Sequence, residues 1–161
     1  MLRQIYLCIG GNIGEREANL EEAIEFIDFN FGDVIAVSSI YESEPWGMTD
    51  APNFLNQVVQ IQSELSDDEL LAEIEELENF FGRERSIEGY VSREMDIDVL
   101  FIESEIIDTE KMKVPHPRMT ERRFVLEPLS EIASDMVHPA MKQTVAELLK
   151  ACKDSGKVTR L

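Results

Sequence analysis

Residues 83–102, R-E-R-S-I-E-G-Y-V-S-R-E-M-D-I-D-V-L-F-I, hold the densest chemistry of the chain and give the clearest reading of its fold. Their second half reads as a strand, because Met95, Ile97, Val99, Leu100, Phe101 and Ile102 are apolar or β-branched and no Gly or Pro interrupts them. Alternation along a strand puts Asp96 and Asp98 on one face, about 6–7 Å apart. Two ionised carboxylates so placed repel by roughly 2–3 kcal/mol at an effective dielectric of about 20. A divalent cation between them turns repulsion into ligation, and hard oxygen ligands suit Mg²⁺. Upstream, Arg83, Arg85 and Arg93 are permanent cations able to fork onto phosphate oxygens. Carboxylates for a metal and arginines for phosphate in one short segment point to phosphoryl transfer.

Outward from this strand, hydrophobic periodicity sets the remaining elements. Residues 4–9 have the apolar density of a buried strand, expected to close in a turn at Gly10-Gly11-Asn12 and Gly14. A helix is predicted from Glu15 to Phe29, with Leu20, Ala23, Ile24 and Ile27 on one face. The loop G-G-N-I-G lacks both the G-x-G-x-x-G spacing and a G-K-[ST] ending, so it reads as a structural turn. Strands are expected at Val34–Glu42 and Phe54–Glu64. The long connection between them carries two prolines and Trp46, and it reads either as a lid over the core or as a wall for a flat ligand. Ser66 and Glu69 form a capping box for the next helix, Leu65 and Leu70 its staple, and Gly82 its stop. Leu70, Ile74, Leu77 and Phe81 mark its buried face. Glu75 and Glu78 fall near its C-terminus, where the helix dipole disfavours anions. Glu75 reads as solubility charge and Glu78 as a candidate ligand contact.

After the Asp strand, Glu103-Ser104-Glu105 is expected to turn the chain into a short hairpin. His116 follows between two prolines that restrict its backbone, with Arg118, Arg122 and Arg123 close behind. His138 has no basic neighbours and reads as structural. A last helix is predicted from Thr144 to Cys152, followed by a fraying tail. The order β-α-β-β-α-β fits an α+β fold, an α/β sandwich whose ferredoxin-like antiparallel sheet carries helices packed on one face.

Composition bounds the function. The 161 residues, 43% of them hydrophobic, suit a single domain, and on length alone a stand-alone enzyme. There is no apolar run long enough to span a bilayer and no signal-peptide layout at the start. Cys8 and Cys152 form no disulfide framework, which fits a reducing, cytoplasmic setting. A net charge of −18 argues against nucleic acid and anionic membrane as partners. Arg3 and Arg16 are the only cations in residues 1–82, so the other 13 of 15 Lys and Arg lie in residues 83–161, eight of them between Arg83 and Arg123. A local basic concentration on an acidic chain suits a compact polyanion, or else balances Glu-rich helices elsewhere.

Four separated pieces resemble one family. G-G-N-I-G-E-R (10–16), Y-E-S-E-P-W-G-M-T-D-A-P-N-F-L-N (41–56), G-R-E-R with S-R-E-M-D-I-D-V-L (82–100) and V-P-H-P-R-M-T-E-R-R-F-V-L-E-P-L (114–129) are similar, in order, to the motifs of 6-hydroxymethyl-7,8-dihydropterin pyrophosphokinases of folate biosynthesis. The resemblance implies pyrophosphoryl transfer from ATP to the pterin hydroxymethyl group, release of AMP, two Mg²⁺ ions, and small molecules as the only partners of an expected monomer. It further implies that Asp96 and Asp98 hold the metals and that Arg83 and Arg93 meet the triphosphate. Glu78, Arg85, Tyr90, His116, Arg118 and Arg122 would complete the nucleotide side. For the pterin, Phe54 and Phe124 would stack on the bicycle and Asn56 would read its polar edge, with Ser43, Glu44 and Trp46 completing the pocket. Gly89, Tyr90, Val91 and Ser92 depart from the family pattern, so the segment that carries them is expected to close differently over ATP. Two other readings stay open. Another Mg-ATP kinase or nucleotidyltransferase would release ADP or pyrophosphate, and a non-catalytic ferredoxin-like binding module would tolerate loss of Asp96.

Overall fold

A computed structural model of the chain describes residues 1–45, 51–82 and 94–161. Strand β1 (Arg3–Gly11) runs through the centre of the main sheet. Helix α1 (Arg16–Asn30) leads to β2 (Asp33–Val37) and β3 (Tyr41–Ser43), and β4 (Phe54–Ser63) follows. Helix α2 (Asp67–Phe80) then returns the chain to β5 (Asp96–Ile102). The sheet order is β5-β1-β4-β3, antiparallel throughout, with β2 also paired to β4. This is the ferredoxin-like arrangement expected from the element order.

The second expected strand is divided in two. Ser38 stops the ladder because its hydroxyl accepts from Val58 N at 2.9 Å, while its carbonyl accepts from Gln57 Nε2 at 2.7 Å. These bonds tie the kink to β4, so β2 and β3 lie along the same neighbour as separate pieces. The expected hairpin comes one step later than predicted: β6 (Ile107–Asp108) pairs with β7 (Lys113–Val114), not with the Asp strand. Glu103 instead turns the chain with φ 50°.

Helices cover both faces, not one. On the first face α1 and α2 bury Leu20, Ala23, Ile27, Leu70, Ile74 and Leu77 against Ile5, Leu7, Ile9, Ile61 and Ile97. The predicted capping box forms in full, with Glu69 N donating to Ser66 Oγ and Ser66 N donating to Glu69 Oε1. On the second face α3 (Arg123–Ala133) and α4 (Val145–Ala151) bury Val125, Leu126, Leu129, Val145 and Leu148 against Tyr6, Val58, Leu100 and Phe101. A bulge opposite Tyr6 and Leu7 sends both Leu100 and Phe101 to this second face, which lets one run of apolar residues serve two cores. Helix α3 went unrecognised in the sequence because Pro128 lies inside it; a proline there removes one backbone donor from the ladder. His138 is buried edge-on to Phe101, and its Nδ1 accepts from Ala140 N and Met141 N, which bears out the structural reading. The tail does not fray: β8 (Val158–Arg160) pairs with β3.

Candidate active site

The candidate site lies on the second sheet face, beyond the ends of α3 and α4. Register brings the expected residues into rows. Tyr41, Asn56, Gly10 and Asp96 are successive partners across β3, β4, β1 and β5, and the adjacent row on one side pairs Ser43 with Phe54. On the other side Cys8 stands between Val58 and Asp98. Because side chains alternate along a strand, Ser43, Phe54, Asn56, Asp96 and Asp98 all rise from this one face. Strands lie about 4.8 Å apart, so Asn56 and Asp96 are separated by roughly 10 Å with Gly10 between them.

Gly10 puts no side chain into that row, and the Asn56 side chain fills the space. A Cβ there would come within 2.1 Å of Asn56 Oδ1 and 2.7 Å of the Leu55 carbonyl oxygen. The missing side chain lets the Asn56 amide lie flat over β1. The sequence reading placed Gly10 and Gly11 in a turn; the structure keeps both in β1. Asn56 is buried, and among the described residues its Nδ2 has no hydrogen-bond partner. An unpartnered buried donor is disfavoured by about 1–3 kcal/mol. Its presence on this sheet face marks where a polar ligand edge would dock.

The carboxylate end is more crowded. Asp96 and Asp98 are both half-buried at the start of β5. His116 is placed beside that strand by its own backbone, which donates to the Leu100 carbonyl at 3.1 Å after a cis Val114–Pro115 peptide. Its Nε2 comes to 3.8 Å from Asp98 Oδ1, and its Nδ1 accepts from Arg118 N at 3.2 Å. That bond leaves the proton on Nε2, facing the carboxylates. Burial is the first cause that pushes the His116 pKa down, to about 4; Arg122 and Arg118 add to it and Asp96 opposes it. The imidazole is therefore neutral near pH 7, and the contact with Asp98 is not an ion pair. Buried Arg122 ends the 3-10 turn Met119–Glu121 and starts α3, with its guanidinium carbon 5.7 Å from the centre of the Phe124 ring. Beneath the two aspartates, burial and then the charges of Asp98 and Asp96 push the Cys8 thiol far up, so it stays protonated.

Asp96, Asp98, His116 and Arg122 thus act on one another electrostatically, and Arg118 lies exposed at their edge. Phe124 opens α3 above the same face. Glu44 follows β3 and is exposed. Glu78 is buried near the end of α2, in the helix layer on the opposite side of the sheet. Trp46, Arg83, Arg85, Tyr90 and Arg93, with Gly89, Val91 and Ser92, lie outside the described residues. Among the described residues there is no group of three or more His, Cys, Asp or Glu able to hold a metal, and no helix long and apolar enough to cross a membrane.

A ferredoxin-like sheet with paired carboxylates at one end of a face, and an amide and aromatic rings at the other, defines an α+β protein with a two-part polar site. The model of the family described as 7,8-dihydro-6-hydroxymethylpterin-pyrophosphokinase matches residues 6–134, and the chain belongs to that family. It is 42% identical over 132 residues to a 2-amino-4-hydroxy-6-hydroxymethyldihydropteridine pyrophosphokinase of Bacillus subtilis, covering 81% of this chain and 78% of that one. The enzyme of the same name from Haemophilus influenzae is 37% identical over 150 residues, covering 92% of each. Among solved structures, Plasmodium falciparum HPPK-DHPS with pterin and p-hydroxybenzoate superposes with a TM-score of 0.74 at 16% identity. That likeness covers 93% of this chain and 43% of the Plasmodium chain, and it concerns the fold alone.

Proposed function

We propose that this protein transfers the β,γ-pyrophosphoryl group of ATP to the hydroxymethyl oxygen of 6-hydroxymethyl-7,8-dihydropterin and releases AMP. Family membership across residues 6–134 carries the reading, and the arrangement of the second sheet face supports it. The hydroxymethyl oxygen forms a bond to the β-phosphorus, the bond from that phosphorus to the oxygen bridging to the α-phosphorus breaks, and the hydroxyl proton is released. Such a displacement depends on in-line positioning and on offsetting the charge spread over phosphoryl oxygens.

Asn56 reads the polar edge of the pterin, with its unpartnered Nδ2 as donor and its Oδ1 as acceptor. Phe54 and Phe124 flank the flat bicycle, and the missing side chain at Gly10 makes room for the Asn56 amide. Ser43, Glu44 and Trp46 complete this pocket. At the other end Asp96 and Asp98 would hold two Mg²⁺ ions. Among the described residues no group of three or more such ligands forms, and a carboxylate pair fits that metal, which in nucleotide sites draws its remaining ligands from phosphates and water. When bound, Mg²⁺ neutralises charge on the phosphate oxygens. Neutral His116 presents an N–H, and Arg118 and Arg122 present guanidinium groups, to the same oxygens. Arg83, Arg85, Tyr90 and Arg93 complete the nucleotide side, while Glu78, buried in the helix layer across the sheet, is assigned no ligand contact. Residues 1–161 act as one domain and as a monomer.

The test is incubation with Mg²⁺, ATP and the pterin alcohol, scored by product. AMP appearing in step with the pterin diphosphate supports the proposal. ADP or pyrophosphate as the nucleotide-side product would instead favour a different Mg-ATP transferase.

A further inference from the structure

The motif G-G-N-I-G-E-R supplies no chemistry to the reaction above, yet two of its side chains reach the pterin end of the site. Asn12 is fully buried and its Nδ2 donates to the Pro52 carbonyl at 3.1 Å. Arg16 Nη1 donates to the Asn53 carbonyl at 2.8 Å and to Glu42 Oε2 at 3.1 Å. Glu42 lies one residue before Ser43, and Asn53 lies one residue before Phe54. One guanidinium nitrogen therefore joins a side chain of β3 to the backbone just before β4.

This placement runs against local preference. Arg16 is the first residue of α1, where the helix dipole disfavours a cation. It is also one of only two cations in residues 1–82. The other, Arg3, serves a separate cluster with Asp67, Glu105 and the Leu65 carbonyl. The sheet does not need Arg16 to form, since β3 and β4 already pair at Tyr41–Asn56, Glu42–Leu55 and Ser43–Phe54. What Arg16 adds is a tie between the Glu42 side chain and the carbonyl of Asn53, the residue just before the Ser43–Phe54 pair that ends the ladder.

We propose that Arg16, assisted by Asn12, is a positioning residue for pterin recognition, setting the gap between the exit of β3 and the entrance of β4. This inference rests on the proposed function and names a determinant of one substrate only. Arg16 touches neither reactant. Its loss widens the pterin pocket and leaves the carboxylate end, built on β5 and the segment after β7, unchanged.

The experiment is steady-state kinetics with each substrate varied in turn, on the wild type and on Arg16→Ala, Arg16→Lys and Glu42→Gln, with melting temperatures recorded for all four. Arg16→Ala is expected to raise the pterin KM about tenfold, the effect of one lost charge-assisted hydrogen bond, with the ATP KM within about twofold of wild type. Arg16→Lys, which retains a donor for the Asn53 carbonyl, should recover most of that loss. Glu42→Gln, which removes the ion pair but leaves the carbonyl bond, should have the smaller effect. An unchanged pterin KM in Arg16→Ala, or equal rises in both KM values, would overturn the inference while leaving the activity standing. Should Arg16→Ala not fold, Arg16→Met, which keeps the aliphatic stem and removes every donor, takes its place, and an unchanged pterin KM in that variant would overturn the inference equally. Absence of AMP from the wild type would remove the functional reading itself and this inference with it.

Discussion

Replacing Asn56 by leucine separates stability from recognition, because the unliganded protein keeps Nδ2 buried and without a partner among the described residues. Leucine matches the branched shape of asparagine and carries no polar atom. Removing the stranded donor relieves a penalty of about 1–3 kcal/mol, offset in part by the larger methyl groups against Gly10. For a chain of this length each kcal/mol moves the midpoint by about 2–4 °C, so the variant should melt at the wild-type temperature or up to about 4 °C above it. Recognition moves the other way. The amide offers the ligand one donor and one acceptor, and its loss leaves the matching ligand groups buried and unpaired. Together these remove about 2–4 kcal/mol of affinity, or roughly 30- to 1,000-fold in Kd. Differential scanning fluorimetry measures the first effect and calorimetric titration with the pterin measures the second. A variant that melts several degrees lower yet binds the pterin normally would refute the reasoning, since Asn56 would then be a structural residue.

Other outcomes follow from the same geometry. Asp98→Asn removes a proposed metal ligand and should lower kcat/KM at least about 100-fold, while relief of repulsion with Asp96 leaves the melting temperature equal or higher. Ser66→Ala, far from the sheet face that carries the site, removes the side-chain oxygen that accepts from Glu69 N, while the backbone N–H at position 66 can still donate to Glu69 Oε1. It should cost about 1 kcal/mol, seen as a drop of about 2–4 °C, with kinetic constants unchanged. His138 has its pKa pushed down by burial from the ordinary 6.5, and protonation would put a hydrogen on the Nδ1 that accepts two backbone donors. The unfolded chain takes up this proton at higher pH than the folded one, so stability is full above pH 6.5 and falls as the pH drops below it. The melting temperature of His138→Gln should therefore fall less between pH 7 and pH 5 than that of the wild type.

Local features were legible in the chain. Alternation in β5 put Asp96 and Asp98 on one face, the S-x-x-E signal set the start of α2, and the i, i+3, i+4, i+7 pattern marked the buried side of α1. Each depends on residues a few positions apart, whose relation the geometry of one helix or strand fixes. Features that need distant partners were not legible. Helix α3 hid behind Pro128, the tail became a strand only because β3 offered it an edge, and the break at Ser38 exists because β4 supplies its hydrogen bonds. The site divides the same way. The sequence by itself determined which residue types were present, the carboxylate pair and the basic concentration, and through motif resemblance the family. Only the tertiary structure decided that the absent side chain of Gly10, between Asn56 and Asp96, makes room for the Asn56 amide, and that Arg16 joins Glu42 of β3 to the Asn53 carbonyl before β4. The reason is physical: register across a sheet joins residues more than 40 positions apart, and no local preference encodes which of them will stand side by side.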